Sequence, residues 1–340
     1  MTENLNNIAN GLKPTSVRDV LTKRVENPNG RPIMLWGAPG VGKSNIVAAV
    51  ADDVDLPLYD VRTTLLDAVD LRGLPSIEEG LTVWNPPTFL PRGPGILFLD
   101  EISDAAPMVK AALYSLILDR RIGEYKLPDA VRIIAAGNRL SDRSSASRMP
   151  KALDNRFTHV EFLVDLDDWC LWAINRGIRT ELIRFIRFRS NLLHSFDPRS
   201  DSHAFPSPRT WEYVNDILEE GHSAEAEYAL IAGTVGEGAA AEFTGFLKVW
   251  RRLPSPDGIL LNPDTEPVPG REDLDVVYAL SGSLINVATR DNFDAIVTYA
   301  ERLPEEPRVF LIRDAVKTKP ELKETRAFIE WGTRNNALLS

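Results

Sequence analysis

The sequence predicts an α/β fold: a parallel sheet of about five strands with helices on both faces, then an all-α region and a helical C-terminal extension. Three observations predict it. A glycine-rich loop lies between a short apolar run and a helix-forming run. Residues 32–165 alternate short apolar runs with helical patterns. Beyond about Asp165 the strand pattern fades while helical periodicity continues. The boundaries that follow are 1–164 for the α/β core, 165–254 for a small helical domain and 255–340 for the extension.

Residues 1–30 read as a polar lead and one helix, Ser16–Arg24, ended by Asn27-Pro28-Asn29-Gly30. The expected strands are Ile33–Trp36, Pro57–Val61, Ile96–Leu99, Val131–Ala135 and His159–Phe162. Between the first of these and a helix-forming run at Asn45–Ala51 stands Gly37-Ala38-Pro39-Gly40-Val41-Gly42-Lys43-Ser44. It fits G-x-x-x-x-G-K-[ST] without mismatch, in the strand–loop–helix setting a phosphate-binding loop requires. The glycines let successive backbone N–H groups turn toward phosphate oxygens, and the helix N-terminus adds roughly half a positive charge. Lys43 is expected to reach the β- and γ-phosphates of ATP, and the Ser44 hydroxyl to ligate Mg²⁺.

Two further strands end in polar residues suited to the same ligand. Gly95-Ile96-Leu97-Phe98-Leu99-Asp100-Glu101 is an apolar strand closed by two carboxylates. Carboxyl ends of parallel strands face the ligand. Asp100 is therefore expected at the Mg²⁺ site, and Glu101 as the residue that orients and polarises the attacking water. Val131–Asn138 ends in an amide that can bridge the γ-phosphate and that water; a turn-forming Gly-Asn pair is the alternative reading.

From Asp165 the expected helices are Asp165–Asn175, Arg179–Leu193, Pro208–Glu220 and Ala224–Gly233. After the proline-rich stretch ending at Pro269-Gly270 they are Glu272–Thr289, Asn292–Leu303, Arg308–Val316 and Pro320–Thr333. Composition narrows the function. No apolar run approaches the ~18 residues of a membrane span, and the first residues lack the basic and apolar regions of a signal peptide. Cys170 is the single cysteine, so no internal disulfide forms; its neighbours suit core packing. The four histidines show no metal-ligand spacing. These features point to the cytoplasm. A net charge of −10 argues against a grip on nucleic-acid phosphates.

In their order, Gly37–Ser44, Ile96–Glu101, Ala135–Asn138 and two later arginine motifs resemble the AAA+ ATPases and, within them, the MoxR family. The likeness covers roughly residues 15–250. It implies an AAA+ P-loop core, with 165–254 as its all-α lid, and a homo-oligomeric ring, commonly a hexamer. Met149-Pro150-Lys151-Ala152-Leu153-Asp154-Asn155-Arg156-Phe157 resembles the segment that supplies an arginine finger, which makes Arg156 the finger on a neighbouring protomer's ATP. Such a finger is worth about 10³–10⁵ in rate. Arg139, Arg143 and Arg148 are alternatives, and a surface salt bridge is the other reading of Arg156. Phe205-Pro206-Ser207-Pro208-Arg209 resembles the opening of a lid helix, which implies that Arg209 contacts the γ-phosphate in cis; a solvated helix face is the plainer reading.

Asp70–Pro91 resembles the family's helix-2 insert, with a hairpin around Ile77–Trp84, and Arg121–Pro128 reads as a second hairpin. Trp84 and Tyr125 are candidate client contacts, or aromatics packed on their own domain. The family is commonly partnered by proteins with a von Willebrand factor A domain. The reading that follows is a ring-forming ATPase that remodels a protein client. A nucleic-acid-dependent AAA+ motor is the main alternative, ahead of a nucleotide-gated binding module and a small-molecule kinase. Residues 255–340 match no feature of the family.

Overall fold

The computed structural model describes residues 11–142, 154–270 and 273–335. Its strands, in chain order, are β1 (Gly11–Leu12), β2 (Ile33–Trp36), β3 (Leu58–Arg62), β4 (Leu74–Glu78), β5 (Leu81–Asn85), β6 (Gly95–Asp100), β7 (Arg121–Ile122), β8 (Tyr125–Lys126), β9 (Val131–Gly137) and β10 (Thr158–Phe162). Six of them form one sheet in the order β1-β10-β2-β9-β6-β3, every pair parallel. All five expected strands are present. The sixth, β1, has two residues, too few to show any periodicity, and is held only by its pairing with Glu161 and Phe162.

The sheet is covered on both faces, which is why its central strands β2, β9 and β6 read as nearly unbroken apolar runs. Side chains alternate between the faces. Met34, Leu97, Leu99, Ile133 and Ala135 pack with Val109, Leu113 and Leu116 of the helix Pro107–Asp119. Ile33, Leu35, Ile96, Phe98, Ile134 and Ala136 pack with Val17 and Leu21 of the helix Pro14–Glu26 and Val47 and Val50 of the helix Lys43–Asp53. The C-terminal ends of β2, β6 and β9 therefore meet at one edge, where the polar residues stand.

Both expected hairpins form. β4 and β5 pair antiparallel across Glu79-Gly80, with φ of 53° and 79°, the left-handed pair a two-residue hairpin turn needs. β7 and β8 pair across Gly123-Glu124. Tyr125 donates its hydroxyl hydrogen to the Pro91 carbonyl, and Trp84 lies under the Arg72 guanidinium at 3.9 Å. Both candidate client contacts thus pack on their own domain, the alternative left open above.

By internal contacts the chain divides into two units, residues 1–240 and 241–340. In the first, the sheet is followed by helices Leu166–Arg176, Thr180–Phe188, Pro208–Glu220 and Ala224–Val235. The expected helix over 179–193 stops at Phe188 because Arg189 leaves helical geometry, and a short 3₁₀ turn, Ser190–Leu192, follows. Cys170 is fully buried. The division falls inside the helix Glu237–Trp250, whose alanine- and glycine-rich start carries too weak an apolar pattern to be read from sequence. The second unit has its own core, built on Phe293, Tyr299 and Trp331 from the helices Phe293–Ala300 and Arg326–Arg334 and on Leu280 and Leu284 from Leu274–Val287. Among the described residues no helix is long and apolar enough to cross a membrane.

Candidate functional site

Gly37–Ser44 leaves β2 as a loop and enters the helix Lys43–Asp53 directly. Two left-handed glycines make the bend: Gly40 at φ 76° and Gly42 at φ 101°. A β-carbon on Gly42 would meet nothing within 4 Å, so its face of the loop is open; one on Gly40 would strike the Ser207 hydroxyl at 2.6 Å. The Gly37 N–H donates to the Gly137 carbonyl (3.3 Å), fastening the loop to the end of β9.

Lys43 folds back over its own loop. Its ammonium donates to the carbonyls of Gly37 (2.8 Å) and Ala38 (3.0 Å) and to Asn138 Oδ1 (3.2 Å). Burial pushes its pKa down to about 8; Asp100 and Asp142 oppose the fall, while Arg209 and Arg139 add to it. An ammonium held this way, with cations around it and little water, is electrostatically prepared for a polyanion. Asn138 is itself fixed: its backbone N–H donates to Ser103 Oγ (3.1 Å) and its side-chain amide to Asp104 Oδ2 (3.3 Å). The Gly-Asn pair is thus part of the site.

Ser44 donates its hydroxyl hydrogen to Asp100 Oδ2 at 2.8 Å, and Asp100 Oδ1 accepts the Glu101 N–H at 2.9 Å. This pair of hard oxygen donors at the loop suits Mg²⁺, which binds through one or two protein oxygens and the substrate phosphates. Ser44 and Asp100 would hold the ion, which when bound would neutralise charge on the phosphate oxygens. Among the described residues no cluster of three or more His, Cys, Asp or Glu stands ready to cage a metal on its own.

Glu101 follows the strand in the left-handed region, φ 56°, which turns its side chain away from the line of β6. Its Oε2 accepts a hydrogen bond from Thr64 Oγ1 at 2.8 Å. Thr63, buried beside it, donates to the Asp100 carbonyl at 2.9 Å. These threonines follow β3, whose register sets Arg62 opposite Asp100. They carry no sequence motif, and only the pairing of β3 with β6 reveals them.

The helical region that follows the sheet meets the loop at three points. Ser207 caps the helix Pro208–Glu220 and packs on Gly40. The Arg209 N–H donates to the Gly40 carbonyl at 3.3 Å. The His194 Nε2 lies 3.3 Å from the Pro39 carbonyl; since a carbonyl only accepts, that nitrogen carries the proton. Burial lowers the His194 pKa, which favours the neutral ring, against the opposing hydrogen bond to Pro39. Beside these contacts lies a cavity of about 370 Å³, lined among others by Gly40, Gly42, Ile46, Trp169, Trp172 and Arg209. Its walls are mostly apolar. Sequence reasoning did not single out His194, Trp169 or Trp172, which only the packing of the helical region brings beside the loop.

The structure brings together Gly37–Ser44, Asp100, Glu101, Asn138 and Arg209. Arg156 stands apart. It is exposed on a turn before β10 and has no ion pair among the described residues. Arg139, one alternative to it, is spent within the chain, bonded to Asp142 Oδ2 (3.1 Å) and Glu161 Oε1 (2.6 Å). Arg143 and Arg148 lie outside the described residues, as does the start of the finger motif, Met149–Leu153.

Residues 32–157 match the family model described as AAA domain (dynein-related subfamily). This segment is similar to AAA domains. It spans β2 to the turn that carries Arg156, and so contains every candidate catalytic residue. Midasin of Giardia intestinalis is 33% identical over 169 residues, covering 46% of this chain and 4% of midasin. Protein NorQ of Paracoccus denitrificans is 39% identical over 97 residues, 28% of this chain and 36% of NorQ. The denitrification regulatory protein NirQ of Pseudomonas aeruginosa is 38% identical over 96 residues, 27% of this chain and 37% of NirQ. The chain thus spans little more than a third of the bacterial relatives it matches and a small fraction of midasin. The likeness to NorQ and NirQ agrees with the MoxR-type resemblance of the AAA domain's motifs.

Proposed function

We propose that this protein is a ring-forming, Mg²⁺-dependent ATPase of MoxR type that remodels or activates a protein client in the cytoplasm, with a von Willebrand factor A-domain protein as partner. One observation supports it above the others: Lys43, Ser44, Asp100, Glu101 and Asn138 converge on a glycine loop that the lid touches through Arg209, while Arg156 faces outward. A cis half of a hydrolytic site that lacks its own finger calls for a second protomer.

In this reading ATP lies along the loop with its base in the Trp169–Trp172 cavity. Lys43 exchanges its carbonyl partners for the β- and γ-phosphates. Glu101, released from Thr64, takes the proton of the attacking water as the water adds in line to the γ-phosphorus and the bond to the β–γ bridging oxygen breaks, so that ADP leaves on the opposite side. Asn138 orients that water, and Arg156 of the neighbour stabilises charge on the transferring phosphoryl group. Loss of the γ-phosphate frees Arg209, and the lid contacts at Pro39 and Gly40 carry the change to the lid.

The test is a Glu101→Gln protein, which binds ATP without turning it over. Isolated with ATP, it is expected to assemble and to retain a partner carrying a von Willebrand factor A domain, identified by mass spectrometry and released by ADP. Assembly without partner retention in ATP overturns the client assignment. Stimulation of the parent ATPase by DNA or RNA at physiological salt, with no protein retained, would establish the motor alternative.

A further inference from the structure

The turn that displays Arg156 is tied to the root of the phosphate loop by a histidine whose two ring nitrogens are both engaged. Asp154 to Phe157 form a turn closed by the Phe157 N–H donating to the Asp154 carbonyl at 3.2 Å, with Asn155 and Arg156 exposed at its centre. His159 Nε2 meets the same carbonyl at 2.8 Å. On the other side of the ring, His159 Nδ1 accepts the Trp36 indole N–H at 2.9 Å. A carbonyl only accepts and an indole N–H only donates, so both bonds together require the neutral ring with its proton on Nε2. The rings of Trp36 and His159 lie nearly parallel, 12° apart with centroids at 6.1 Å, and Phe157 is buried against the same histidine at 6.3 Å.

Trp36 is the last residue of β2, and Gly37 begins the phosphate loop. Its strand is clamped in the middle of the sheet between β10 and β9. The relay thus has a rigid end at the protomer's own nucleotide site and a displayed end at the arginine turn.

We infer that His159 is a positioning residue for Arg156: with Trp36 it fixes the arginine turn from the base of the phosphate loop, so each protomer's own site sets the finger it offers its neighbour. The inference rests on the reading of Arg156 as a finger acting in trans. A bidentate clamp on one carbonyl, rather than a hydrophobic wedge, suits this task, because a finger shifted by about 1 Å loses on the order of a hundredfold in rate.

The relay makes three demands that simple packing does not. Trp36→Phe keeps an aromatic ring but removes the N–H donor; it should lower kcat about tenfold and leave KM for ATP within about twofold. His159→Leu removes both bonds and should do the same or more. His159→Gln offers an acceptor and a donor of similar reach and should recover most of the parent rate. Mixed assemblies then locate the effect. A Lys43→Ala protomer supplies only a finger, and an Arg156→Ala protomer supplies only a site. His159→Leu placed on the finger donor should reduce the turnover of the mixture several-fold more than the same change on the site donor. Equal losses in both placements, or a Trp36→Phe protein with the parent kcat, overturn the relay while leaving the finger intact. An inactive mixture without the His159 change overturns the finger reading itself. Should His159→Leu fail to fold, Trp36→Phe carries the same placement test.

Discussion

Thr64 donates its hydroxyl hydrogen to Glu101 Oε2 at 2.8 Å, across the end of the β3–β6 pair. The carboxylate expected to act on water is therefore occupied by a neighbour on its own sheet edge. A carboxylate oxygen that already accepts a hydrogen bond is held in place and is less free to accept one from water. Replacing Thr64 by Val should raise basal ATP turnover about fivefold, the equivalent of roughly 1 kcal/mol for an exposed bond to a charged group. KM should hold. A fall in turnover would mean that Thr64 aims Glu101 instead of restraining it.

Lys43 gives the site a pH signature. Its pKa of about 8 in the free protein has to rise when a triphosphate arrives, so binding above pH 8 takes up a proton. ATP affinity should fall by about tenfold between pH 7 and pH 9, the fall expected when only the ammonium form binds. Calorimetry in buffers of different ionisation enthalpy should show the uptake at pH 8.5 and little at pH 7. Folding stability runs the other way. Burial disfavours the charged lysine in the folded chain, so its contribution improves as pH rises from about 8 toward the ordinary value of 10.5. A Lys43→Arg protein should lose the pH dependence of binding, since guanidinium does not titrate there.

Gly40 and Gly42 separate two kinds of damage to the loop. Both sit at positive φ, but only at Gly40 would a β-carbon strike the lid, 2.6 Å from Ser207 Oγ. Gly42→Ala should cost about 1 kcal/mol of backbone strain. Gly40→Ala adds displacement of the lid contact and should weaken both nucleotide affinity and the melting-temperature gain on adding ATP. Equal effects of the two changes would argue against lid coupling through Gly40.

Arg209 is anchored through its backbone on Gly40, and its charge is felt at Lys43. Its guanidinium has no ion pair among the described residues. Arg209→Ala should therefore weaken ATP about tenfold, as expected for one lost charge-assisted contact, and ADP little. Parallel loss for both nucleotides would place the side chain away from the γ-phosphate.

The parts of the site legible in the sequence share one property. Asp100 ends an apolar strand, Asn138 directly follows one, and Lys43 follows one across the glycine loop, so a local pattern marks both the residue and its position at the sheet edge. Thr64, Ser103 and His194 have no such mark. Thr64 matters because β3 pairs with β6, Ser103 because it holds Asn138, and His194 because a lid loop crosses Pro39. Each depends on a contact made across the chain. The two-residue β1 was illegible for the same reason: its pairing with β10, rather than its own composition, makes it a strand. Tyr125 shows the opposite limit, an aromatic in a hairpin whose packing under the Pro91 carbonyl no local pattern declares.

The most direct test of the account is complementation between two inactive proteins. Lys43→Ala should neither bind nor turn over ATP, and Arg156→Ala should bind it without turnover. Combined in verified mixed assemblies, they should recover ATP hydrolysis at interfaces that join an intact phosphate loop to an intact arginine. Mixed assemblies that stay inactive, or an Arg156→Ala protein that hydrolyses ATP at the parent rate, would contradict a site completed by the neighbouring protomer.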